Sequence, residues 1–295
     1  NYTPSHFDVR THPASFKYNH EMKLGNIVVS NMIIKNIKVS NFKTFDDLNL
    51  DLDTFNLLIG SNASGKSSFI SIFDFLKDIS ENGIDSAISQ QGGIEYIRNI
   101  KLGSSKNLRI ELNLVSEPDS KDLILVLEQS DDKFNGISAS NVLYKLDIEF
   151  YKKSTKKYKS IAETVELDLN ILSVIKDGKD KKPIDSGKII IQNNGTNITY
   201  NIQDFKNEIA KSSFEKLQMM YPNNEKVKNS LLRLQSTPLI FYLTIFLRNL
   251  SIYDIDPKLS KKAIPVAGKS DLDRDGGNLA IALKTILEDK KKAKT

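Results

Sequence analysis

The run Gly60-Ser61-Asn62-Ala63-Ser64-Gly65-Lys66-Ser67 fits the pattern G-x-x-x-x-G-K-[S/T] without a mismatch. Its flanks decide what the pattern means. Phe55-Asn56-Leu57-Leu58-Ile59 precedes it, an apolar stretch expected to form a strand buried on both faces. Phe69, Ile70, Ile72, Phe73, Leu76 and Ile79 follow at helical spacing, which predicts a helix from about Gly65. Strand, glycine-rich turn and helix in that order form a cradle for phosphates. The glycines let the backbone wrap closely, successive N–H groups point inward, and the helix places its positive end against the anion. Gly60, Ser61, Asn62, Ala63, Ser64, Gly65, Lys66, Ser67 and Ser68 are therefore the candidate nucleotide-binding residues. Lys66, set to neutralise the β- and γ-phosphates, is the candidate catalytic residue, and the Ser67 hydroxyl is the candidate Mg²⁺ ligand. A chance glycine-serine turn would leave Lys66 merely solvated; with both flanks in place, the phosphate-binding reading is preferred.

Composition removes several other chemistries. The 295-residue chain has no cysteine, so disulfides, thiol nucleophiles and cysteine-ligated zinc are excluded. Its only histidines are His6, His12 and His20, which leaves no imidazole for a Ser-His-Asp triad or a histidine-rich metal centre in the main body. The net charge of +5 permits a nucleic-acid partner without demanding one. The longest apolar run, Pro238 to Leu247, is half the length a membrane-spanning helix needs, about 20 residues, and reads as a buried helix. No signal peptide is visible, so a cytoplasmic location is expected.

Residues 1–31 hold all the histidines and no clear period. They are expected to be an N-terminal extension of uncertain origin: an upstream extension, a misassigned start or an expression remnant. From Ile33 the pattern becomes strand-like, with Ile34, Ile37 and Val39 as apolar markers, and Leu48 to Asp53 alternates strictly. Residues 107–202 read as β-rich. Leu108, Ile110, Leu112 and Leu114 alternate with polar neighbours, Leu123–Leu127 and Leu143–Phe150 suggest further strands, and Asn194-Gly195 marks a hairpin turn between Lys188–Gln192 and Thr196–Tyr200. A helical region follows from Phe205 through Leu250, and a last helix is predicted at Asn278–Lys290. The expected division is 1–31, then a P-loop lobe with a β-rich insertion at 32–204, then a helical lobe at 205–295.

Other stretches narrow the family. Ile37-Lys38-Val39-Ser40-Asn41-Phe42-Lys43-Thr44-Phe45, Leu57 to Ser68, Gln91-Gly92-Gly93-Ile94-Glu95-Tyr96-Ile97-Arg98, and the pair Ile252–Pro257 and Asp273–Ala280 together resemble the SMC/RecF-like branch of ABC-type ATPases. Within that branch the chain is similar to the bacterial "AAA family ATPases" related to the overcoming-lysogenization-defect (OLD) proteins, over about Met32 to Leu287. The resemblance implies an α/β P-loop NTPase head lobe of ABC type, in which an antiparallel β layer joins the P-loop sheet and a helical lobe follows. It implies ATP and Mg²⁺ as cofactors, a nucleotide contact from Lys43, and a Q-loop glutamine reaching Mg²⁺. Gln235 is the candidate for that glutamine, with Gln90 and Gln91 as competitors. It further implies a homodimer whose heads sandwich ATP, with DNA and an effector nuclease domain or subunit as partners and no membrane.

The family pattern also requires an LSGGQ-like signature and a Walker B, a short apolar run ending in Asp-Glu. Neither is found. Ile124–Leu127 before Glu128 is the nearest run and lacks the Asp. The chain thus reads as the ATP-binding part of such an ATPase, apparently truncated before Walker B. Alone it is expected to bind nucleotide and hydrolyse it poorly, because hydrolysis needs a water-positioning group and a second metal-binding carboxylate. Three functions follow. The first is an ATP-driven dimerisation switch controlling DNA repair or anti-phage defence. The second is a stand-alone P-loop kinase or NTPase. The third is a non-catalytic nucleotide-binding adaptor. Two further clusters are weighed. Tyr151 to Lys159 could contact a DNA backbone, but reads better as a solvated hairpin tip. Asp273 and Asp275 could form a metal pair, but read better as turn and cap residues.

Overall fold

A computed structural model describes residues 8–11, 23–24, 27–28, 32–116, 125–129, 133–151, 158–175, 181–208, 211–212, 214–215, 230–233, 238–261 and 271–292. The chain divides into two compact units, Asn1–Asn249 and Leu250–Thr295.

In the first unit, alternating apolar residues build one antiparallel sheet. Short strands β1 (Asp8–Thr11), β2 (Lys23–Leu24) and β3 (Ile27–Val28) precede β4 (Met32–Phe42), β5 (Phe45–Asp51) and β6 (Asn56–Ile59). Next come β7 (Leu108–Ser116), β8 (Leu125–Gln129), β9 (Lys133–Phe150), β10 (Tyr158–Ile175), β11 (Lys181–Asn193) and β12 (Ile198–Gln203). The large sheet runs β12-β11-β10-β9-β7-β4-β5, and β8 shares an edge of β9 with β7. This is the expected antiparallel layer. A single register row, Leu50–Ile37–Leu112–Tyr144–Val165–Ile191, crosses six strands, and all but Leu50 are fully buried. The spacing of Ile34 and Ile37, three apart, breaks strict alternation. A register irregularity between Ile34 and Asn36 restores it, pairing Ile34 with Leu114 and Ile37 with Leu112 on one face. The predicted Asn194-Gly195 turn connects β11 and β12, with Gly195 at φ 84° and the Asn194 side chain accepting from the Thr196 and Asn197 N–H groups.

Helix α1 (Lys66–Asn82) buries Phe69, Ile72, Phe75, Leu76 and Ile79 along one stripe. Phe75 meets Phe42 of β4 with ring centroids 5.9 Å apart, which docks the helix on the sheet. Each such side chain contributes about 1.5–3 kcal/mol on full burial. Ile70, predicted on the same face, is exposed. Helices α2 (Ile84–Gln90) and α3 (Ile94–Ile97) follow at once. Helix α4 (Pro238–Arg248) is the apolar run read as a buried helix. Its Arg248 donates from Nη2 and Nε to the Ser80 carbonyl, at 2.6 and 3.1 Å. The last turn of α1 carries no basic residue of its own, so Arg248 supplies the cation its negative end favours.

The P-loop strand β6 departs from expectation. It was predicted to be buried on both faces, but Phe55, Leu57 and Ile59 are 43, 47 and 48% exposed. The reason is its neighbourhood: among the described residues β6 pairs only with β1 and stands outside the large sheet.

One buried carboxylate ties the sheet to the chain before α4. Glu163 of β10 accepts from the Tyr144 hydroxyl (2.8 Å), the Asn193 amide (3.2 Å), the Leu231 N–H (2.8 Å) and the Ser230 hydroxyl. Burial holds its carboxyl above the ordinary value of 4.5, and the four donors pull it back only in part. In the second unit, α5 (Leu279–Lys292) is the predicted last helix, and Asn278 just before it accepts from Asp273 and donates to Asp271.

Glu163→Leu strands buried donors, so it should lower unfolding free energy by about 2–3 kcal/mol. Glu163→Gln keeps an oxygen for Leu231 and Asn193 and should cost under about 1 kcal/mol. Urea unfolding of both variants checks this; equal losses would refute it. Because the folded carboxyl is raised, its contribution is full below 4.5 and is lost as pH rises through the folded value. The stability of wild type relative to Glu163→Gln should therefore decline from pH 4.5 toward neutrality.

Candidate nucleotide-binding site

The loop Gly60–Gly65 leaves β6 and enters α1 by way of two left-handed residues, Ala63 at φ 64° and Gly65 at φ 102°. Gly60 is a glycine for steric reasons, since a Cβ there would stand 2.5 Å from the Ser64 Oγ. Gly65 has two reasons: its φ is one that L side chains rarely adopt, and a Cβ would lie 3.2 Å from the Thr44 Oγ1 and 3.3 Å from the Phe45 ring. Helix α1 opens without an acidic residue in its first turn and without a side-chain cap. Its leading N–H groups lack intrahelical acceptors and stand ready for an anion.

Lys66 closes the cradle. Its ammonium donates to the carbonyls of Gly60 and Ser61, both at 2.8 Å, and to the Ser64 hydroxyl at 3.3 Å. Ser61, Asn62, Ala63 and Ser67 are exposed along the rim, and Ser64, Lys66 and Ser68 are half-buried. The structure thus gathers every loop residue that the sequence singled out.

A second wall lies beside the loop. Two more left-handed residues stand at the end of β4 and in the turn after it, Asn41 at φ 55° and Lys43 at φ 46°. Asparagine tolerates that conformation because its short side chain bonds locally or to nearby backbone. Here Asn41 is fully buried; its amide donates to the Gly103 and Lys106 carbonyls and its oxygen accepts from the Asn99 N–H. The Lys43 N–H donates to the Ile97 carbonyl at 2.8 Å, and its ammonium donates to the Gln91 Oε1 at 2.8 Å. Burial lowers the Lys43 pKa, while the Asp74 carboxylate of α1 raises it. Three stretches far apart in sequence, Ile37–Phe45, Leu57–Ser68 and Gln91–Arg98, are contiguous here. The Asn41 anchor and the Lys43–Gln91 bond escaped sequence reasoning. Asn-Phe-Lys before an edge strand and Gln-Gly-Gly after a helix were the only signals.

The remaining sequence-predicted sites fall elsewhere. Gln235 lies outside the described residues. Glu128 is on β8, which pairs with β9 and not with the P-loop strand. Lys152–Lys157 lie outside the described residues; their flanks end β9 and begin β10, where Lys159 is bound to Glu149 at 2.7 Å and the Tyr158 hydroxyl to Asp85 at 2.7 Å. Asp275 accepts from the Gly277 N–H at 2.9 Å, a turn role. In the second unit, Asp254 and Asp256 donate backbone N–H groups to the Arg274 and Asp275 carbonyls, so Ile252–Pro257 and Asp273–Ala280 lie side by side.

A strand, a glycine-rich loop closed by its own lysine and a bare helix N-terminus define a P-loop nucleotide-binding domain. Residues 32–263 match the AAA ATPase domain family, most of the chain, and the protein belongs to that family. No curated protein matches the chain. No helix among the described residues is long and apolar enough to cross a membrane.

Gly65→Ala forces a residue with a Cβ into a conformation that costs about 1–3 kcal/mol. Thermal unfolding should show a loss of that size, and an ATP titration should show weakened binding. A variant as stable as wild type would contradict the strain.

Proposed function

We propose that this chain is the ATP-binding lobe of an SMC/RecF-like ATPase, in which ATP joins two copies and the joined state controls DNA-directed work such as repair or anti-phage defence. The observation that carries the nucleotide reading is Lys66 held over the loop by the Gly60 and Ser61 carbonyls at the start of α1. These residues fit a nucleoside triphosphate. The loop N–H groups and the helix end take the phosphate oxygens, Lys66 exchanges its carbonyl partners for the β- and γ-phosphates, and Lys43 adds a second positive charge. They also fit Mg²⁺: exposed Ser67, the residue after Lys66, would hold it through its hydroxyl; Gln235, outside the described residues, is a further ligand only by the family resemblance. Bound there, the ion neutralises charge that develops on the phosphates.

Membership of the AAA ATPase domain family supports ATPase chemistry in general. The dimer, the DNA and the effector nuclease rest on the resemblance of Ile37–Phe45, Gln91–Arg98 and Asp273–Ala280 to the SMC/RecF-like branch. In this reading the chain alone binds ATP and turns it over slowly, because none of the candidate site residues is a water-positioning carboxylate. A cytoplasmic setting fits such work.

Lys66→Ala should abolish ATP binding measured by calorimetry and leave the far-ultraviolet spectrum unchanged; unaltered affinity would overturn the site. Light scattering with and without ATP and Mg²⁺ tests the dimer, and a monomer in both conditions would remove that part of the reading.

A further inference from the structure

Two turns that belong to different parts of the chain meet at one hydrogen bond. Lys43 sits on the β4–β5 turn, its backbone fixed by the Ile97 carbonyl, with the next two residues, Thr44 and Phe45, against Gly65 of the phosphate loop. Gln91 ends α2, and its N–H is bound to the Ala87 carbonyl. Gly92 and Gly93 follow at φ 93° and 104°, bound through their N–H groups to Ser89 and Ile88, so the chain reverses sharply there. The backbone of Gln91 is thus fixed independently of Lys43. From that position its side-chain carbonyl accepts from the Lys43 ammonium at 2.8 Å, in a half-buried setting.

The chemistry of the acceptor matters. A carboxylate at this place would pair with the lysine and cancel its charge. An amide carbonyl orients the ammonium without adding a second negative charge to that of the Asp74 carboxylate, which already acts on it. A lysine side chain is long and free to rotate, and holding it beforehand reduces the entropy lost when it meets a ligand. Burial already weakens the hydration of this ammonium, which raises the gain from an anionic partner.

We propose that Gln91 is a positioning residue for nucleotide: its side-chain oxygen holds the ammonium of Lys43, whose turn abuts the phosphate loop, as a second cation that passes from Gln91 to the phosphates when nucleotide binds. The inference rests on the reading of Lys43 as a nucleotide contact. It assigns Gln91 a role separate from that of a metal-sensing glutamine.

The test is calorimetric titration of the full chain with ATP and Mg²⁺, using Lys43→Met, Gln91→Glu, Gln91→Met and the two double variants. Lys43→Met should weaken binding roughly ten- to hundredfold, the value of a hydrogen bond to a charged group. Gln91→Glu should weaken it to a similar degree, because the ammonium is then paired with a carboxylate. Gln91→Met, of similar length and without an oxygen, should weaken it less. Neither change at 91 should matter in the Lys43→Met background. A Gln91→Glu protein with wild-type affinity would overturn the role of Gln91 while leaving Lys43 in place, and so would an equal loss in both backgrounds. Wild-type affinity in Lys43→Met, with binding still abolished by Lys66→Ala, would remove the Lys43 reading and this inference together, and leave the P-loop standing. If Gln91→Glu fails to fold, Gln91→Met decides on the same two criteria.

Discussion

The helix after the phosphate loop is fixed at three points, and the site depends on all three. Its first turn begins at Gly65, wedged against Thr44 and Phe45. Its middle is docked by Phe75 on Phe42. Its far end is gripped by Arg248 at the Ser80 carbonyl. A phosphate site made of backbone N–H groups works only if those groups cannot drift, because their value lies in being oriented before the anion arrives. The rows of buried aliphatic side chains in the sheet supply that rigidity, and Glu163 carries it to the segment that leads into the gripping helix.

Family membership and local geometry agree on what the first unit is built to hold. The AAA ATPase match spans residues 32–263 and so includes both walls of the site, the loop at 60–68 and the turn at 41–45. Left-handed backbone recurs in both walls: Asn41 and Lys43 in one, Ala63 and Gly65 in the other, with Gly92 and Gly93 following Gln91, the partner of Lys43. Conformations that cost energy persist where surrounding contacts over-determine them, and they cluster at ligand clamps.

Much of this was legible in the sequence, for reasons that also mark the limit. The loop was readable because its chemistry is contiguous: glycines, lysine and serine act at fixed spacing. The strands of the insertion were readable from alternation, and Asn194-Gly195 from its turn chemistry. The β6 strand was misjudged because an apolar run shows that burial is favourable without showing what covers it; Leu57 and Ile59 are nearly half exposed. Ile34 and Ile37 were both correct as apolar markers, yet the bulge between them is invisible without the partner strand. Glu163 carries no mark of its role in the sequence; its donors come from Tyr144, Asn193, Ser230 and Leu231, and no local pattern announces them.

The anchoring of Asn41 has a consequence for the order in which the protein is made. Its partners Asn99, Gly103 and Lys106 lie 58, 62 and 65 residues downstream. A chain emerging from the ribosome exposes the phosphate loop before the residues that hold its neighbouring wall have been synthesised. Contacts of this span close late, since the intervening segment must be ordered first. The loop therefore spends the interval with glycines, lysine and serine in place and no wall behind them. The wall beside the phosphate loop is closed only once synthesis has passed Lys106, so an asparagine, and not the loop itself, ties the timing of that wall to residues far downstream.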